Sequence, residues 1–166
     1  FGTLKKHIND GDNVTMVVMT QSDVKDAHTQ EITRDSSQSI IEAKSAADII
    51  GAELILGPFQ DTKVPFNSES VAFLEKIIKE RKIDIVYTHW GGDTHQDHIN
   101  TLSATMAAAR LVKNVFCYEQ IPISRMTENQ MDINYYENID NSFDKKIEAS
   151  MCHKSQISKY EKVGLN

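Results

Sequence analysis

The sequence predicts an α/β fold: a three-layer α/β/α sandwich built on a mainly parallel sheet of Rossmann-like type. Three observations carry this. Short β-branched apolar runs alternate with helical stretches of ten or more residues, a rhythm that implies crossover connections between parallel strands. The runs are nearly uninterrupted, as strands covered on both faces require, instead of alternating apolar and polar. The polar segments follow the strands, at the carboxyl ends where such sheets bind ligands.

Thr3 to Asn9 reads as a short amphipathic helix, closed by the turn formers Asp10-Gly11-Asp12. Asn13 to Thr20 is the first strand. Gln21 to Asp35 has little periodicity and is expected to be a long loop or short irregular helix of the kind that lines a site. From Ser36 the period becomes helical, with Ile40, Ile41, Ala43, Ala46, Ala47 and Ile50 on one face and Gly51 as the stop. Glu53 to Leu56 is the second strand, which Gly57-Pro58 is expected to break. After a loop through Asp61 and Pro65, a helix from Ser68 to Arg81 turns Val71, Leu74, Ile77 and Ile78 inward. The strand Ile83 to Thr88 follows, then a helix from His98 to Val112 carrying Leu102, Met106, Ala109 and Leu111, then the strand Val115 to Tyr118. In the last third, Ile121 to Met131 is a loop, Ile133 to Asn138 an edge-strand candidate, and Phe143 to Lys154 a helix.

At 166 residues the default is one domain with a sizeable core. A net charge of −6 and a pI near 5.5, without a basic stripe, argue against a nucleic-acid partner. No apolar stretch approaches the roughly 20 residues that span a bilayer, so stable membrane insertion is not expected. Cys117 and Cys152 are too few for a disulfide framework and read as buried small hydrophobes in a reducing, cytoplasmic compartment. Phe1 is not an initiator methionine, and a helix already begins behind it, so the chain is expected to start inside a larger protein.

The densest chemistry lies in His89-Trp90-Gly91-Gly92-Asp93-Thr94-His95-Gln96-Asp97-His98, directly after a strand. Histidines on a polar loop are often only solvated. Three imidazoles and two carboxylates in one loop nevertheless suggest a metal-assisted or acid/base site. A catalytic zinc site keeps three protein ligands and one open position. His95 and His98 can share one ion, or one can bind the ion while the other serves the oxyanion or the leaving amine. Asp97 and Asp93 can each accept an imidazole N–H and fix its tautomer, and Asp93 can instead contact substrate. His89, His95 and His98 together are a further ligand set that spacing leaves open.

These residues are where the sequence resembles a family, the LmbE-like or PIG-L de-N-acetylases. Asp93-Thr94-His95-Gln96-Asp97-His98 is similar to the family's D-x-H-x-D-H loop, with glutamine where proline is commoner. Phe1-Gly2-Thr3-Leu4 resembles its G-G-T-L helix, and Gly11 to Thr20 its G-D-x-V-x-V-V-x-x-T strand. Glu42, Ala46-Ala47 and Ile50-Gly51-Ala52 resemble its E-x-x-x-A-A-x-x-L-G helix, with Ser39 where an arginine is usual. Tyr118-Glu119, Phe143 to Lys146 and His153 to Gln156 resemble its Y-E, F-D-x-K and H-x-S-Q elements.

The resemblance implies a zinc-dependent hydrolase that removes an acetyl group from an N-acetylglucosamine-containing or related small molecule. It makes His98 a zinc ligand, His95 the residue acting at the oxyanion and leaving group, and Asp97 the residue that orients His95. Asp93, Glu42 and Tyr118 are the expected substrate contacts, while His153 and Gln156 brace the site. The family's A-H-P-D-D-E motif, which supplies its remaining zinc ligands and general base, precedes the G-G-T-L helix. It is therefore expected upstream of Phe1, in a single domain of which residues 1–166 are the greater part. Related enzymes often self-associate, which leaves a homo-oligomer open. The competing readings are an inactive α/β domain that binds a sugar or nucleotide, or an interaction module. A metal phosphohydrolase fits less well, wanting more carboxylates for a second ion. Substrate choice would lie in the loops Gln21 to Asp35 and Ile121 to Met131.

Overall fold

In a computed structural model of the chain, the described residues are 1–21, 23–25, 28–29, 31–118 and 131–157. The chain forms two compact units, Phe1–Phe59 with Tyr135–Asn166, and Gln60–Asn134.

The first unit opens with α1 (Gly2–Asn9) and β1 (Thr15–Thr20). The segment expected to be irregular holds a small antiparallel ribbon, β2 (Val24–Lys25) with β3 (Ile32–Arg34). Strands of two and three residues are too short to show a period in sequence. Helix α2 (Ser36–Ile50) starts where predicted, because the Asp35 side chain accepts from the Ser37 N–H at 2.6 Å. It ends at Gly51, whose φ of 86° suits glycine.

Strand β4 (Glu53–Phe59) pairs in parallel with β1, Thr15 opposite Glu53 and Val18 opposite Leu56. It runs through Gly57-Pro58, which therefore does not break it. The register instead slips between Val18 and Thr20, as at a β-bulge. A side chain at Gly57 would put Cβ 2.4 Å from the Met19 carbonyl oxygen, so glycine is what lets β1 approach.

Ala46 and Ile50 of α2 pack with Ala149 of α5 (Phe143–Ser150), flanked by Phe1, Leu4, Ile49, Ala52 and Cys152. Alanines at 43, 46 and 47 keep that helix face narrow. Ile41, expected inward, is exposed. Residues 133–138 form no strand, and α5 stops at Ser150 instead of continuing to Lys154. A 3₁₀ turn at Asp140–Ser142 leads into it.

In the second unit α3 (Ser68–Glu80) begins with a capping box in which Asn67 and Ser70 satisfy each other's backbone. Strand β5 (Ile85–His89), helix α4 (Gln96–Ala108) and strand β6 (Asn114–Tyr118) form a β-α-β unit whose strands are parallel, Ile85 opposite Asn114 and His89 opposite Tyr118. Tyr87 and Phe116, paired across the two strands, stack at 5.4 Å between ring centroids. Leu74 and Ile77 of α3 and Ala104 and Ala108 of α4 are buried where these helices pack. Met106, on α4, is exposed, and so by 89% is Leu111, which was expected on this helix but lies past its end at Ala108. Helices joined to parallel strand pairs in both units are the predicted α/β class.

Candidate functional site

The histidine loop leaves the carboxyl end of β5 at His89 and enters α4 at its N-cap, His95. Between them the chain crosses Gly91-Gly92. A Cβ at Gly92 would lie 2.1 Å from the Trp90 ring, so glycine is needed for the indole to lie over the loop backbone.

Asp93 organises the entry into α4. It is 7% exposed, and its Oδ1 accepts the His95 N–H at 2.8 Å, an Asx turn that sets up the helix start. Its Oδ2 lies 2.7 Å from His98 Nδ1. Burial works to raise the carboxyl's pKa, but the His95 N–H, the His98 hydrogen bond and the neighbouring imidazoles His98 and His89 outweigh it and hold Asp93 below the ordinary range. Against a charged carboxylate, His98 Nδ1 is the donor, and the Nε2 lone pair of the neutral ring is left for another partner.

His95 is held the other way round. As N-cap, its Nδ1 accepts the Asp97 N–H at 3.2 Å. The neutral ring therefore carries its proton on Nε2, where it can donate. Two imidazoles three residues apart thus have opposite tautomers, fixed by their partners in the hydrogen-bond network. His98 stacks between the other two histidine rings, with centroids 4.2 Å from His89 and 4.5 Å from His95.

His89, Asp93 and His98 each offer one ligand atom, all within 4.8 Å of one another. Tetrahedral zinc ligands sit about 2.0–2.2 Å from the ion and so roughly 3.4 Å from one another, and the donor set would have to draw together to hold one. Two nitrogens with one carboxylate oxygen suit a borderline ion with an open position, and Asp93 would join them as a ligand only by giving up its hydrogen bond to His98 Nδ1. His89 was an open alternative in sequence; its place at the strand end was the signal for it. The Tyr118 hydroxyl lies 3.1 Å from His89 Nδ1. Burial, then the charge of Asp93, pushes that phenol up to about 12, so at neutral pH it is a neutral donor.

Asp97 is buried, and both its carboxylate oxygens face backbone: Oδ2 accepts from Thr62 N at 2.6 Å and Oδ1 from Val64 N at 3.0 Å. Its link to His95 is its own N–H. Nothing in residue spacing announces a partner more than thirty positions upstream. Glu42 belongs to the other unit, where it is 3% exposed and no helix-surface charge. Its Oε1 accepts from Ser155 N at 2.9 Å and Gln38 Nε2 at 3.1 Å, and its Oε2 from Ser155 Oγ at 2.7 Å. Burial opposes this charge too, yet the Ser155 and Gln38 bonds with nearby His153 bring the pKa below its ordinary value. His153 stacks on Phe1 at 5.8 Å. Glu119 and residues 121–130 lie outside the described residues.

The sequence matches the PIG-L family model, described as GlcNAc-PI de-N-acetylase, over residues 1–109. No curated protein matches it. Among solved structures, it is similar to the zinc inhibited form of teicoplanin deacetylase Orf2, with 16% identity, a TM-score of 0.77 and coverage of 93% of this chain and 78% of that one. It is similar to N,N'-diacetylchitobiose deacetylase from Pyrococcus horikoshii, with 21% identity, a TM-score of 0.70 and coverage of 93% and 64%. It is also similar to GalB, the 4-carboxy-2-hydroxymuconate hydratase of Pseudomonas putida KT2440, with 18% identity, a TM-score of 0.78 and coverage of 96% and 74%. At these identities the likeness is one of fold.

Proposed function

The chain belongs to the PIG-L, or LmbE-like, family of de-N-acetylases, and from that premise we propose that it is a zinc-dependent hydrolase removing an N-acetyl group from an N-acetylglucosamine-containing or related small molecule. The observation that carries this is the contrast in partners, the Asp93 carboxylate at His98 Nδ1 and the Asp97 N–H at His95 Nδ1. When bound, zinc would polarise the acetyl carbonyl and acidify a water.

His98 would hold the ion through Nε2 while Asp93 accepts its Nδ1–H, and His89 is the further nitrogen donor of the cluster. His95, its Nδ1 occupied, would donate its Nε2–H as a hydrogen bond to the oxyanion, and the proton that the attacking water gives up is the one the departing amine takes. Asp97 supports His95 by fixing the first turn of α4. Tyr118, a neutral phenol beside His89, and Asp93 border the substrate. A substrate contact at Glu42 shares its carboxylate with Ser155 and Gln38. The two free thiols, Cys117 and Cys152, are half-buried and fit a reducing, cytoplasmic location. No helix among the described residues is long and apolar enough to cross a membrane. Self-association into a homo-oligomer belongs to the same proposal and is checked by light scattering.

The test is zinc content by elemental mass spectrometry, with amine release from N-acetylglucosamine as the probe reaction. About one zinc per chain is expected, lost in His98→Ala. His95→Ala should keep the metal and lose about 10²- to 10³-fold in rate, the usual worth of one oxyanion donor. A His98→Ala protein with full zinc and full rate refutes the assignment. Zinc without turnover on any acetylated sugar would favour a ligand-binding domain instead.

A further inference from the structure

Helix α4 carries a second set of contacts, directed away from the donor cluster. Its first turn grips three residues, Thr62–Val64, at all four of the backbone polar groups that the terminal pair offers. Asp97 accepts both N–H groups, from Thr62 at 2.6 Å and Val64 at 3.0 Å. Gln96 Nε2 donates to the Thr62 carbonyl, and Asn100 Nδ2 to the Val64 carbonyl at 2.8 Å. Thr62 has φ of 62°, a left-handed conformation that a β-branched residue adopts only when its surroundings impose it. Val64 is 2% exposed, so the strap is anchored in the core as well as on the helix.

The grip is centred on the residue whose N–H is capped by His95. Asp97 holds His95 Nδ1 with its backbone and the strap with its side chain. Any shift of the strap must pass through Asp97 to the cap.

We propose that the Thr62–Val64 strap, locked by Gln96, Asp97 and Asn100, is the positioning element that holds His95 in its hydrogen-bond-donating orientation. Gln96 and Asn100 are thereby positioning residues, and Asp97 acts on His95 through the strap instead of by a carboxylate–imidazole bond. The consequence for turnover rests on the proposed role of His95 as hydrogen-bond donor to the oxyanion. The lock itself does not.

The experiment uses the full chain with Gln96→Ala and Asn100→Ala, neither of which removes a group bonded to a histidine ring. Amide hydrogen exchange is followed at Thr62, Val64 and Asp97, with Ala104 and Ala108 reporting the helix core. Both variants should lose about tenfold in protection at Thr62 and Val64 and, by coupling, at Asp97, while the core amides stay unchanged. With N-acetylglucosamine as probe, kcat should fall about tenfold at constant KM. On a His95→Ala background the same substitutions should cost nothing further, the non-additivity of residues acting through one group. Loss of strap protection with Asp97 unaffected overturns the proposal. So does an Asn100→Ala cost that is equal with and without His95. A wild-type protein releasing no amine would count against the hydrolase, and the exchange arm would still decide the strap. Gln96, an exposed side chain, supplies a variant that folds even if Asn100→Ala does not.

Discussion

Replacing Glu42 by glutamine isolates a buried charge without disturbing its geometry. Both donors that reach Oε1, from Ser155 N and Gln38 Nε2, still find a carbonyl oxygen, and the Ser155 hydroxyl can turn to accept from the new amide at the Oε2 position. Three bonds survive and only their charge assistance is lost, roughly 1 kcal/mol each, or about 3 kcal/mol in total. The desolvation of a carboxylate in a 3%-exposed position is relieved in return. Because the folded protein holds this pKa below its ordinary 4.5, the bonds outweigh the desolvation, so the net must be a loss. About 1–2 kcal/mol is expected at pH 7, or a Tm lower by about 2–8 °C for a chain of this size.

The pH dependence separates charge from packing. A carboxyl with a depressed folded pKa contributes its stability above the unfolded value of 4.5 and loses it as pH falls through the lower folded value. Urea unfolding of wild type and Glu42→Gln should therefore show a gap that is constant from pH 7 to about 5 and closes below 4.5. A variant as stable as wild type at pH 7, or a gap unchanged down to about pH 3.5, would refute the reasoning.

Gly57→Ala forces a Cβ to within 2.4 Å of a backbone carbonyl that cannot swing aside, and about 3 kcal/mol or outright misfolding should follow; a normal urea midpoint would mean β1 and β4 can separate freely. Asp93→Asn removes the charge that orients His98 and should weaken zinc binding about 10- to 100-fold in a competition titration with a chelating dye, whereas unchanged affinity would take Asp93 out of the site. Thr88→Val replaces the one buried side-chain hydroxyl without a partner among the described residues and should stabilise the protein by about 1 kcal/mol in the same urea assay; destabilisation would reveal a hydrogen bond to that hydroxyl.

The helix and strand sequence was legible wherever the signal is local. Asp35 and Gly51 bracket α2 because a cap and a left-handed stop are properties of single residues. The β-branched runs at 15–20 and 85–89 needed only composition. Gly57-Pro58 misled because the rule that such a pair ends a strand is also local, whereas the carbonyl of Met19 that makes the glycine useful comes from another strand. Met106 and Leu111 are exposed for different reasons: Met106 lies off the packed face of α4, and Leu111 lies past the end of the helix, in a turn that the helical period did not foresee. At the site, the loop and its family pattern were visible at once. How each ring is held was not, since spacing alone does not separate His95 from His98, whose different roles only the family resemblance implied. It depends on which oxygen or N–H each ring meets, and those partners are a side chain in one case and a backbone amide in the other.

The likeness to a hydratase shows why the fold cannot by itself assign the reaction. Hydration of a double bond and hydrolysis of an amide both begin with water and an electron-poor carbon, and both end with delivery of a proton. They part at the receiving atom, carbon in the first and a departing nitrogen in the second. A neutral imidazole with one nitrogen fixed and the other protonated can donate a hydrogen bond to the developing oxyanion in either, so His95 alone does not choose between them. The de-N-acetylase reading rests on the sequence: Asp93-Thr94-His95-Gln96-Asp97-His98, and with it every member of the donor cluster, lies inside the 1–109 segment that matches the PIG-L family model. Under the proposed reading, the different partners of the two histidines are what amide cleavage would use, so a variant that gave both rings the same partner should lower amine release the most.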